Sequence, residues 1–457
     1  MTSVDVLTGR RRGVLMHITS LPAPHGIGDF GPAARAFADW CRAQHVSAWQ
    51  VLPINPIGLG NSPYSGRSAF ALEPLLASLE DLCSDGLLPK SALRAPAALR
   101  DGPVRFREVS RFKMPLLRAA YERFASKGGL RRAAFRRFCA EQSHWLDDWC
   151  EDQSGDPTEH AFVQYILHWQ WMRLRSHAAR RGVGFIGDVP IFVHADSTDV
   201  RMRPDLFRLN RRGGPTVVTG VPPDDYCPHG QLWGHPHYDW AAHRKENFRW
   251  WVDRFQRATT LFDAIRIDHF IGFVRLYEVS ARAKTARRGV WRRTPGRAIL
   301  NTLQDALGRL PFIAEDLGAV TPAVRRLRDD FHLPGMRIAQ WGWYRDDSPD
   351  APANHPVNSV CYPGTHDNDT VAGWYRSLPK DARRRFAAAT GCRHAAGAPA
   401  AMVAACLQSP ARLRIIPMQD LLGLGAAARM NRPGIPRGNW RWRLPKDAAP
   451  TFPPQPK

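Results

Sequence analysis

The stretch AIRIDHF, residues 264–270, joins a short apolar, β-branched run to an aspartate at its end. Short runs of this kind are typical of buried strands. Two further stretches have the same layout, PFIAEDLG at 311–318 and CYPGTHDND at 361–369. In each of them a strand-like run leads into carboxylates. A fold in which parallel strands end at one edge would bring these carboxylates together.

Short apolar runs of this type recur along the chain with helical stretches between them. We predict strands at 14–18, 48–54, 183–193, 262–270, 311–314, 336–341, 359–362 and 413–418. This alternation is typical of α/β proteins, and the number of strands predicts a closed (β/α)8 TIM barrel with helical and loop insertions. The spacing places Asp268, Glu315 and Asp367 after the fourth, fifth and seventh strands. They would then lie at the carboxyl face, where barrel enzymes keep their active sites.

The domain organisation that we expect is a single elaborated catalytic barrel over residues 1–457. The longest insertion, 74–182, is predicted to be a mainly helical subdomain. A second insertion, 195–260, contains the stretch 220–240, whose glycines, prolines and aromatic residues predict an irregular loop that faces the substrate. The aromatic loop 55–67 has the same character.

Two helices of the first insertion can be predicted from their spacing and caps. Leu116, Ala120 and Phe124, together with Leu117 and Tyr121, form an i, i+4 apolar stripe that ends at Gly128-Gly129. A second helix begins at Asp156, which is followed by Pro157, Thr158 and Glu159, and it runs through Phe162, Ile166 and Trp169. This spacing predicts that the aromatic residues pack into a core.

The composition limits the possible compartments and partners. The formal charge is +22, but only about eight of the 64 basic residues are lysine, and the arginines are spread along the chain. A solvated basic surface therefore explains the charge better than a specific nucleic-acid site.

No apolar run reaches the roughly 18 residues of a membrane helix, and the N-terminal segment predicts no secretory signal. The eight scattered cysteines favour reduced thiols and a cytoplasmic protein.

Paired carboxylates at a barrel mouth are suited to glycoside chemistry. One carboxylate attacks or stabilises the anomeric carbon, while a protonated partner gives a proton to the leaving oxygen. Arg266, two residues before Asp268 on the same strand, would hold that carboxylate ionised and orient it. These arguments alone do not choose between Glu315 and Asp316 as the acid.

A metal site is the alternative for THDND, residues 365–369, because aspartate and asparagine oxygens can bind calcium or magnesium. The stretch lacks the regularly spaced ligands and the terminal glutamate of a calcium loop. The histidines show no zinc spacing such as H-E-x-x-H. We therefore predict no metal and no cofactor.

The sequence resembles the 4-α-glucanotransferases of the amylomaltase (disproportionating enzyme) family, which are related to the α-amylase barrels. The resemblance extends over almost the whole chain. The motifs that carry it are SLPAPHGIGDFG (20–31), NSPYSGRSAF (61–70), GDVPIFV (187–193), GVPPDDYCPHGQLWG (220–234), RIDHF (266–270), AEDLG (314–318), GTHDN (364–368), PMQDLLGL (417–424) and RMNRPGIPRGNWRWR (429–443).

The resemblance implies a retaining 4-α-glucanotransferase that acts on starch, glycogen or maltodextrin. It implies that Asp268 is the nucleophile, Glu315 the general acid/base and Asp367 the transition-state stabiliser. The substrate-binding residues that it implies are Tyr64, Ser62, Asp188, Gln231, Trp233, Arg266, His269, His366 and Asn431. The substrates would be an α-1,4-glucan donor and a glucose or maltooligosaccharide acceptor.

The chain departs from the family pattern at four single positions, and the region around Pro228 is also unusual. Ile271 follows RIDHF where an arginine is usual, and Ile435 replaces a threonine. His235 and His237 stand where an asparagine and a hydrophobic residue are expected. The triad carboxylates are all present.

Two other functions are compatible with parts of this pattern. A retaining α-glucan hydrolase of the amylase type would share the three carboxylates and differ only in its acceptor. A non-catalytic protein that binds glucan or nucleic acid on a degenerate barrel would be expected to lack a triad carboxylate.

Overall fold

The centre of the computed structural model, which describes residues 3–126, 130–223, 227–448 and 450–453, is a closed parallel barrel. Its strands are β1 (Arg11–Leu15), β2 (Ala48–Gln50), β3 (Gly184–Val189), β4 (Ala264–Ile267), β5 (Phe312–Ala314), β6 (Gly335–Ile338), β7 (Ser359–Tyr362) and β8 (Leu413–Pro417). Each strand pairs with the next one along the chain, and β1 closes the barrel by pairing with β8. The predicted (β/α)8 barrel is confirmed.

The predicted strands are all present, but several have different ends. β1 begins at Arg11 and not at residue 14, because Arg11 already pairs with Leu413 in β8. β3 ends at Val189, since Pro190 has no backbone N–H for the sheet. The predicted strand 336–341 leaves the sheet after Ile338 and continues as a 3-10 turn, Ala339–Trp343.

Helices cover the outside of the barrel. They are α1 (Pro32–Ala43), α2 (Leu79–Ser84), α3 (Ala97–Arg100), α4 (Phe106–Ser126), α5 (Leu130–Asp152), α6 (Pro157–Ala179), α7 (Thr198–Met202), α8 (Trp240–Lys245), α9 (Arg249–Leu261), α10 (Gly296–Leu307), α11 (Pro322–Asp330), α12 (Val371–Ser377), α13 (Lys380–Thr390), α14 (Ala398–Gln408) and α15 (Met418–Leu421). The connection between β6 and β7 differs from the others, because its described residues 339–358 form only short 3-10 turns. Within the described residues, no helix combines the length and the apolar character that a bilayer crossing requires.

The helices between β2 and β3 pack through the predicted apolar stripe. Leu117, Ala120 and Phe124 of α4 are buried, and the Phe124 ring lies 4.8 Å from that of Phe162 in α6. The Asp156 side chain caps α6 by accepting from the Thr158 amide. The predicted end of the stripe at residues 128–129 lies outside the described residues.

One aromatic residue of α6 does not lie where the spacing predicts. Trp169 was expected in the buried face, but 49% of it is exposed. Trp171 is fully buried instead and donates its indole N–H to the Leu261 carbonyl. The buried face of α6 therefore passes through position 171.

A four-stranded antiparallel sheet extends the barrel on the carboxyl side of β3 and β4. Its strands lie in the order Gln231–Pro236, Val217–Val221, Arg275–Ser280 and Gly289–Arg293. The prediction of an irregular loop over 220–240 was therefore wrong for residues 220–221 and 231–236, which are strands, while residues 224–226 lie outside the described residues. Proline is tolerated here because Gln231–Pro236 is an edge strand, and Gly234 takes up a positive φ of 81°.

Candidate active site

The carboxyl ends of four barrel strands bring five predicted site residues to one mouth. Asp188 lies near the end of β3, and Arg266 pairs with it in register on β4. Asp268 follows β4 directly, Glu315 follows β5 directly, and Asp367 lies on the loop after β7. Because parallel strands in a closed barrel end at the same face, residues far apart in sequence can surround one ligand.

Arg266 is the charged centre of this cluster. Its Nη1 donates to both carboxylate oxygens of Asp188 at 2.8 Å, and its Nη2 lies 3.0 Å from Oδ1 of Asp268. Burial opposes the charge of Arg266, but the carboxylates of Asp188 and Asp268 outweigh it and raise the guanidinium pKa. A buried ion pair is costly unless its geometry is good. Here each terminal nitrogen of Arg266 serves a different carboxylate, and the contact through Nη2 orients Asp268.

Glu315 lies beside Asp268. Its Oε2 accepts a hydrogen bond from the backbone amide of His269, the residue that follows Asp268. Burial raises the pKa of Glu315 well above its usual range and the negative charge of Asp268 raises it further, although Arg266 acts in the opposite direction. A carboxyl group that keeps its proton near neutral pH can act as a general acid.

The geometry distinguishes Glu315 from Asp316, which the residue pattern alone could not do. The Asp316 carboxylate is buried, forms an ion pair with Arg328 and accepts from the Met336 amide at 2.8 Å. It therefore joins the end of β5 to β6 and α11. Of these two neighbours, only Glu315 contacts the Asp268–His269 segment.

Asp367 is held from two sides. The Asn431 side chain donates to Oδ1 of Asp367 at 2.6 Å, and His366 Nε2 lies 3.3 Å from the same oxygen. The Arg429 guanidinium binds the Asp367 backbone carbonyl at 2.7 Å. Burial would raise the pKa of Asp367, but His366 and Asn431 outweigh it and hold that pKa well below its usual range. Asp367 can therefore present a fixed negative charge to a ligand.

Tyr64 closes one side of the mouth. Its hydroxyl donates to Asp188 at 2.8 Å, and its ring stacks on His366 with centroids 4.9 Å apart and planes 14° apart. Burial raises the Tyr64 pKa well above its usual value, so the phenol stays neutral. The predicted neighbour Ser62 uses its hydroxyl to accept from the Tyr64 amide. Ser62 thus stabilises the turn that carries Tyr64.

His269 and the antiparallel sheet form the opposite side. The Trp233 ring meets the His269 ring edge to face at 4.9 Å, and Gln231 accepts from the Trp233 indole at 3.2 Å. His269 has a left-handed backbone, with φ 50°, and burial lowers its pKa to about 4. Its buried Nε2 has no hydrogen-bond partner among the described residues. A substrate hydroxyl could satisfy this atom.

Two residues of the site were not singled out from the sequence. Trp440 lies 5.7 Å from Tyr64 and 5.8 Å from His366, ring to ring, with a left-handed φ of 64°. Arg429 anchors the Asp367 backbone. Both belong to the 429–443 motif, in which RMN (429–431) was the available signal for Arg429 and RGNWRWR (437–443) was the signal for Trp440.

The four departures from the family pattern lie outside the carboxylate cluster. Ile271 is buried in the turn Phe270–Phe273, and Ile435 is 51% exposed. His235 stacks on Phe192 at 5.8 Å, and His237 Nε2 lies 3.2 Å from the Val218 carbonyl. Both histidines therefore pack around the sheet that carries Trp233.

A small cavity of about 30 Å³ with both apolar and polar walls lies behind the His366–Asp367 loop, and it is large enough for one or two water molecules. It is lined by Asp369, Asp420, Arg429 and His17, whose buried Nδ1 has no partner among the described residues. Asp420 accepts from the Val371 amide at 2.7 Å. Burial and the nearby Asp369 raise its pKa to about 7.

Replacing Asp420 with Asn is expected to stabilise the fold at pH 8. Between its ordinary pKa of 3.8 and its raised pKa of about 7, Asp420 is protonated in the folded state but ionised in the unfolded state. The free energy of unfolding therefore falls as pH rises from about 4 to about 7. Asn removes this loss and keeps an acceptor for Val371. Denaturant unfolding should show a gain of about 2 kcal/mol at pH 8 and a smaller gain at pH 5. A gain that is the same at both pH values would contradict the role given to Asp420.

Comparison with known proteins identifies the family to which the chain is similar. A family profile described as 4-alpha-glucanotransferase matches residues 16–154 and 150–448. The 4-alpha-glucanotransferase of Solanum tuberosum is 39% identical, over 96% of this chain and 83% of that relative. The Aquifex aeolicus 4-alpha-glucanotransferase is 38% identical, over 96% of each chain.

A solved structure gives the same result for the fold. Amylomaltase from Streptococcus agalactiae, in complex with acarbose, superposes with a TM-score of 0.92 and 33% identity, over 96% of each chain. The profile and the relatives cover nearly the whole chain. They support a transferase over the hydrolase and the non-catalytic binding protein. The chain therefore belongs to the 4-alpha-glucanotransferase family of enzymes.

Proposed function

We propose that this enzyme transfers α-1,4-glucan segments with retention of configuration, with Asp268 as nucleophile and Glu315 as acid/base. The observation that carries this proposal is the pairing of the two carboxyl groups. Arg266 orients Asp268, and Glu315 contacts the next backbone amide. The raised pKa of Glu315 supports the acid role for this carboxyl, since it favours the protonated form.

In the first step, Glu315 donates its proton to the glycosidic oxygen of the donor glucan. The Asp268 carboxylate attacks the anomeric carbon, the bond to that oxygen breaks, and the released segment leaves with a 4-hydroxyl. Retaining enzymes carry out this displacement with carboxyl groups about 5–5.5 Å apart. The intermediate is a β-linked glucosyl ester of Asp268.

In the second step, the 4-hydroxyl of glucose or of another glucan attacks the ester carbon. Glu315 accepts the hydroxyl proton, the ester bond breaks, and Asp268 returns to its carboxylate form. The new bond is an α-1,4 linkage because two inversions restore the configuration. Glu315 ends the cycle protonated.

The donor sugar is proposed to bind between the two sides of the mouth. Tyr64 would stack on the reacting ring, and Asp188, His366 and Asp367 would bind its hydroxyls. The unpaired Nε2 of His269 supports a hydrogen bond to the same sugar. Asn431 would contribute by orienting Asp367.

Acceptor selection is proposed to depend on the sheet beside β4. Gln231 and Trp233 would contact the glucan there, and Ser62 would act through the turn of Tyr64. Positioning a sugar hydroxyl before water enters lowers the entropic cost of transfer relative to hydrolysis. In this proposal the stretch 220–240 faces the substrate through Gln231 and Trp233, although residues 220–221 and 231–236 lie in strands.

The same function implies a domain organisation, a pair of substrates and a compartment. The chain would act as one catalytic barrel, residues 1–457, with the helical subdomain 74–182 and the insertion 195–260 as its additions. The donor would be an α-1,4-glucan and the acceptor glucose or a maltooligosaccharide, without a metal, a cofactor or a nucleic-acid partner. Five buried cysteines with free thiols support a reducing compartment, the cytoplasm.

Incubation with maltotriose tests the reaction. Transfer is expected to produce glucose and a ladder of longer maltooligosaccharides while the number of reducing ends stays constant. Chromatography of the products, together with a reducing-end assay over time, measures both quantities. A hydrolase would raise the reducing-end count in step with maltotriose loss. That outcome would replace the transferase with the amylase-type alternative.

A further inference from the structure

The antiparallel sheet carries a second cavity of about 220 Å³. Leu276 and Arg292 are direct cross-strand partners, and Glu278 lies two residues after Leu276, so these side chains share one face of the sheet. The opposite wall is formed by residues 237–240 together with Arg208. None of these residues has a place in the proposed reaction.

The walls of this cavity are mainly polar, with one aromatic ring among them. Trp240 is half-buried and exposes part of its ring, whereas Leu276 is buried beneath the wall. Arg208 and Arg292 both approach the same oxygen, Oε2, of Glu278. Among the described residues no other acceptor binds these two guanidinium groups, so their remaining N–H groups can donate in a planar array.

The charges in the cavity favour a neutral ligand. Arg208 and Arg292 are balanced by Glu278 and by Asp239, which uses Oδ1 to cap α8. A phosphate or sulfate would meet two carboxylates as well as two guanidinium groups. A sugar instead has apolar faces for an aromatic ring and hydroxyl pairs for planar charged groups. The half-exposed ring of Trp240 beside the guanidinium and carboxylate groups therefore suits a sugar ring.

We propose that this cavity is a second glucan-binding site, which holds a glucose unit of a long α-glucan outside the catalytic mouth. The choice of an α-glucan rests on the proposed transferase function. The strand Gln231–Pro236, which carries Trp233, continues directly into the wall formed by residues 237–240. A single chain segment thus connects the mouth with the second site.

Such a site would act only on long substrates. Once a long glucan is bound at one of the two sites, the rest of the same glucan chain has a high effective concentration at the other site. Maltotriose is too short to gain from this effect if it already fills the mouth. The site should therefore lower KM for amylose and leave maltotriose turnover unchanged.

Arg292→Ala is the test variant, and Arg293→Ala is its matched control. Arg292 is 62% exposed, so its loss should not disturb folding. Arg293 is exposed on the same strand, but its cross-strand partner Arg275 places it on the other face of the sheet. Trp240→Ala removes the aromatic wall as a second variant. Native electrophoresis in gels that contain soluble amylopectin measures the glucan affinity of each protein.

Arg292→Ala and Trp240→Ala are expected to weaken amylopectin binding by about fivefold to tenfold and to raise KM for long amylose similarly. Their maltotriose turnover should match that of wild type, and Arg293→Ala should behave as wild type in both assays. Equal amylopectin affinity for Arg292→Ala and Arg293→Ala would overturn the second site. Failure of wild type to disproportionate maltotriose would instead refute the proposed function, whatever the gel result.

Discussion

Asp268→Asn is expected to lower kcat for maltotriose disproportionation by about 10⁴-fold or more, because no covalent intermediate can form without the nucleophile. The amide oxygen of Asn can still accept from Arg266, which lies 3.0 Å from the carboxylate in wild type. The variant should therefore fold and bind maltotriose. Product formation over hours measures the rate, and calorimetric titration measures binding.

Chemical rescue separates a lost nucleophile from a disturbed site. Asp268→Ala leaves space beside the anomeric carbon, so azide should restore turnover of α-maltotriosyl fluoride and produce the β-maltotriosyl azide. Asp347→Asn, an exposed substitution, is the control for the loss of one charge. Near-normal disproportionation by Asp268→Asn would refute its assignment as nucleophile.

Glu315→Gln is expected to reduce kcat for maltotriose by about 10²- to 10⁴-fold, the usual contribution of a general acid/base. The loss should be much smaller for release of fluoride from α-maltotriosyl fluoride, because fluoride leaves without a proton. Comparing the first turnover of the two substrates measures this difference. Equal losses on both substrates would indicate that the substitution disturbs the site as a whole.

The pH dependence provides a second check on Glu315. Burial and the charge of Asp268 raise the Glu315 pKa, and the first step needs its protonated form. Wild-type kcat should therefore fall as pH rises through this raised pKa. In Glu315→Gln the alkaline limb should be absent, because the amide does not titrate. An unchanged alkaline limb in the variant would assign that limb to another group.

The sequence predicts the barrel and the positions of its carboxylates because both are local signals. Each strand is a short apolar run, and Asp268 or Glu315 follows its own strand directly. The direction in which a side chain points cannot be predicted in this way, because it depends on partners elsewhere in the chain. Glu315 and Asp316 could not be distinguished until the ion pair between Asp316 and Arg328 was known.

The stretch 220–240 shows the same limit for backbone structure. Its glycines and prolines indicate a loop when they are considered alone, but pairing with Arg275–Ser280 stabilises Val217–Val221 as a strand. Strand Gln231–Pro236 then forms at the edge, where proline is tolerated.

Trp440 was missed for a similar reason. Its place beside Tyr64 and His366 results from packing between distant segments.

The most direct measurement of the mechanism is the mass of the trapped intermediate. Glu315→Gln can form the ester with α-maltotriosyl fluoride, but it lacks the base that activates the acceptor. Acid quenching, peptic digestion and mass spectrometry should locate one maltotriosyl group on Asp268. A group attached to a different carboxylate, or no adduct together with a product of inverted configuration, would contradict covalent catalysis by Asp268.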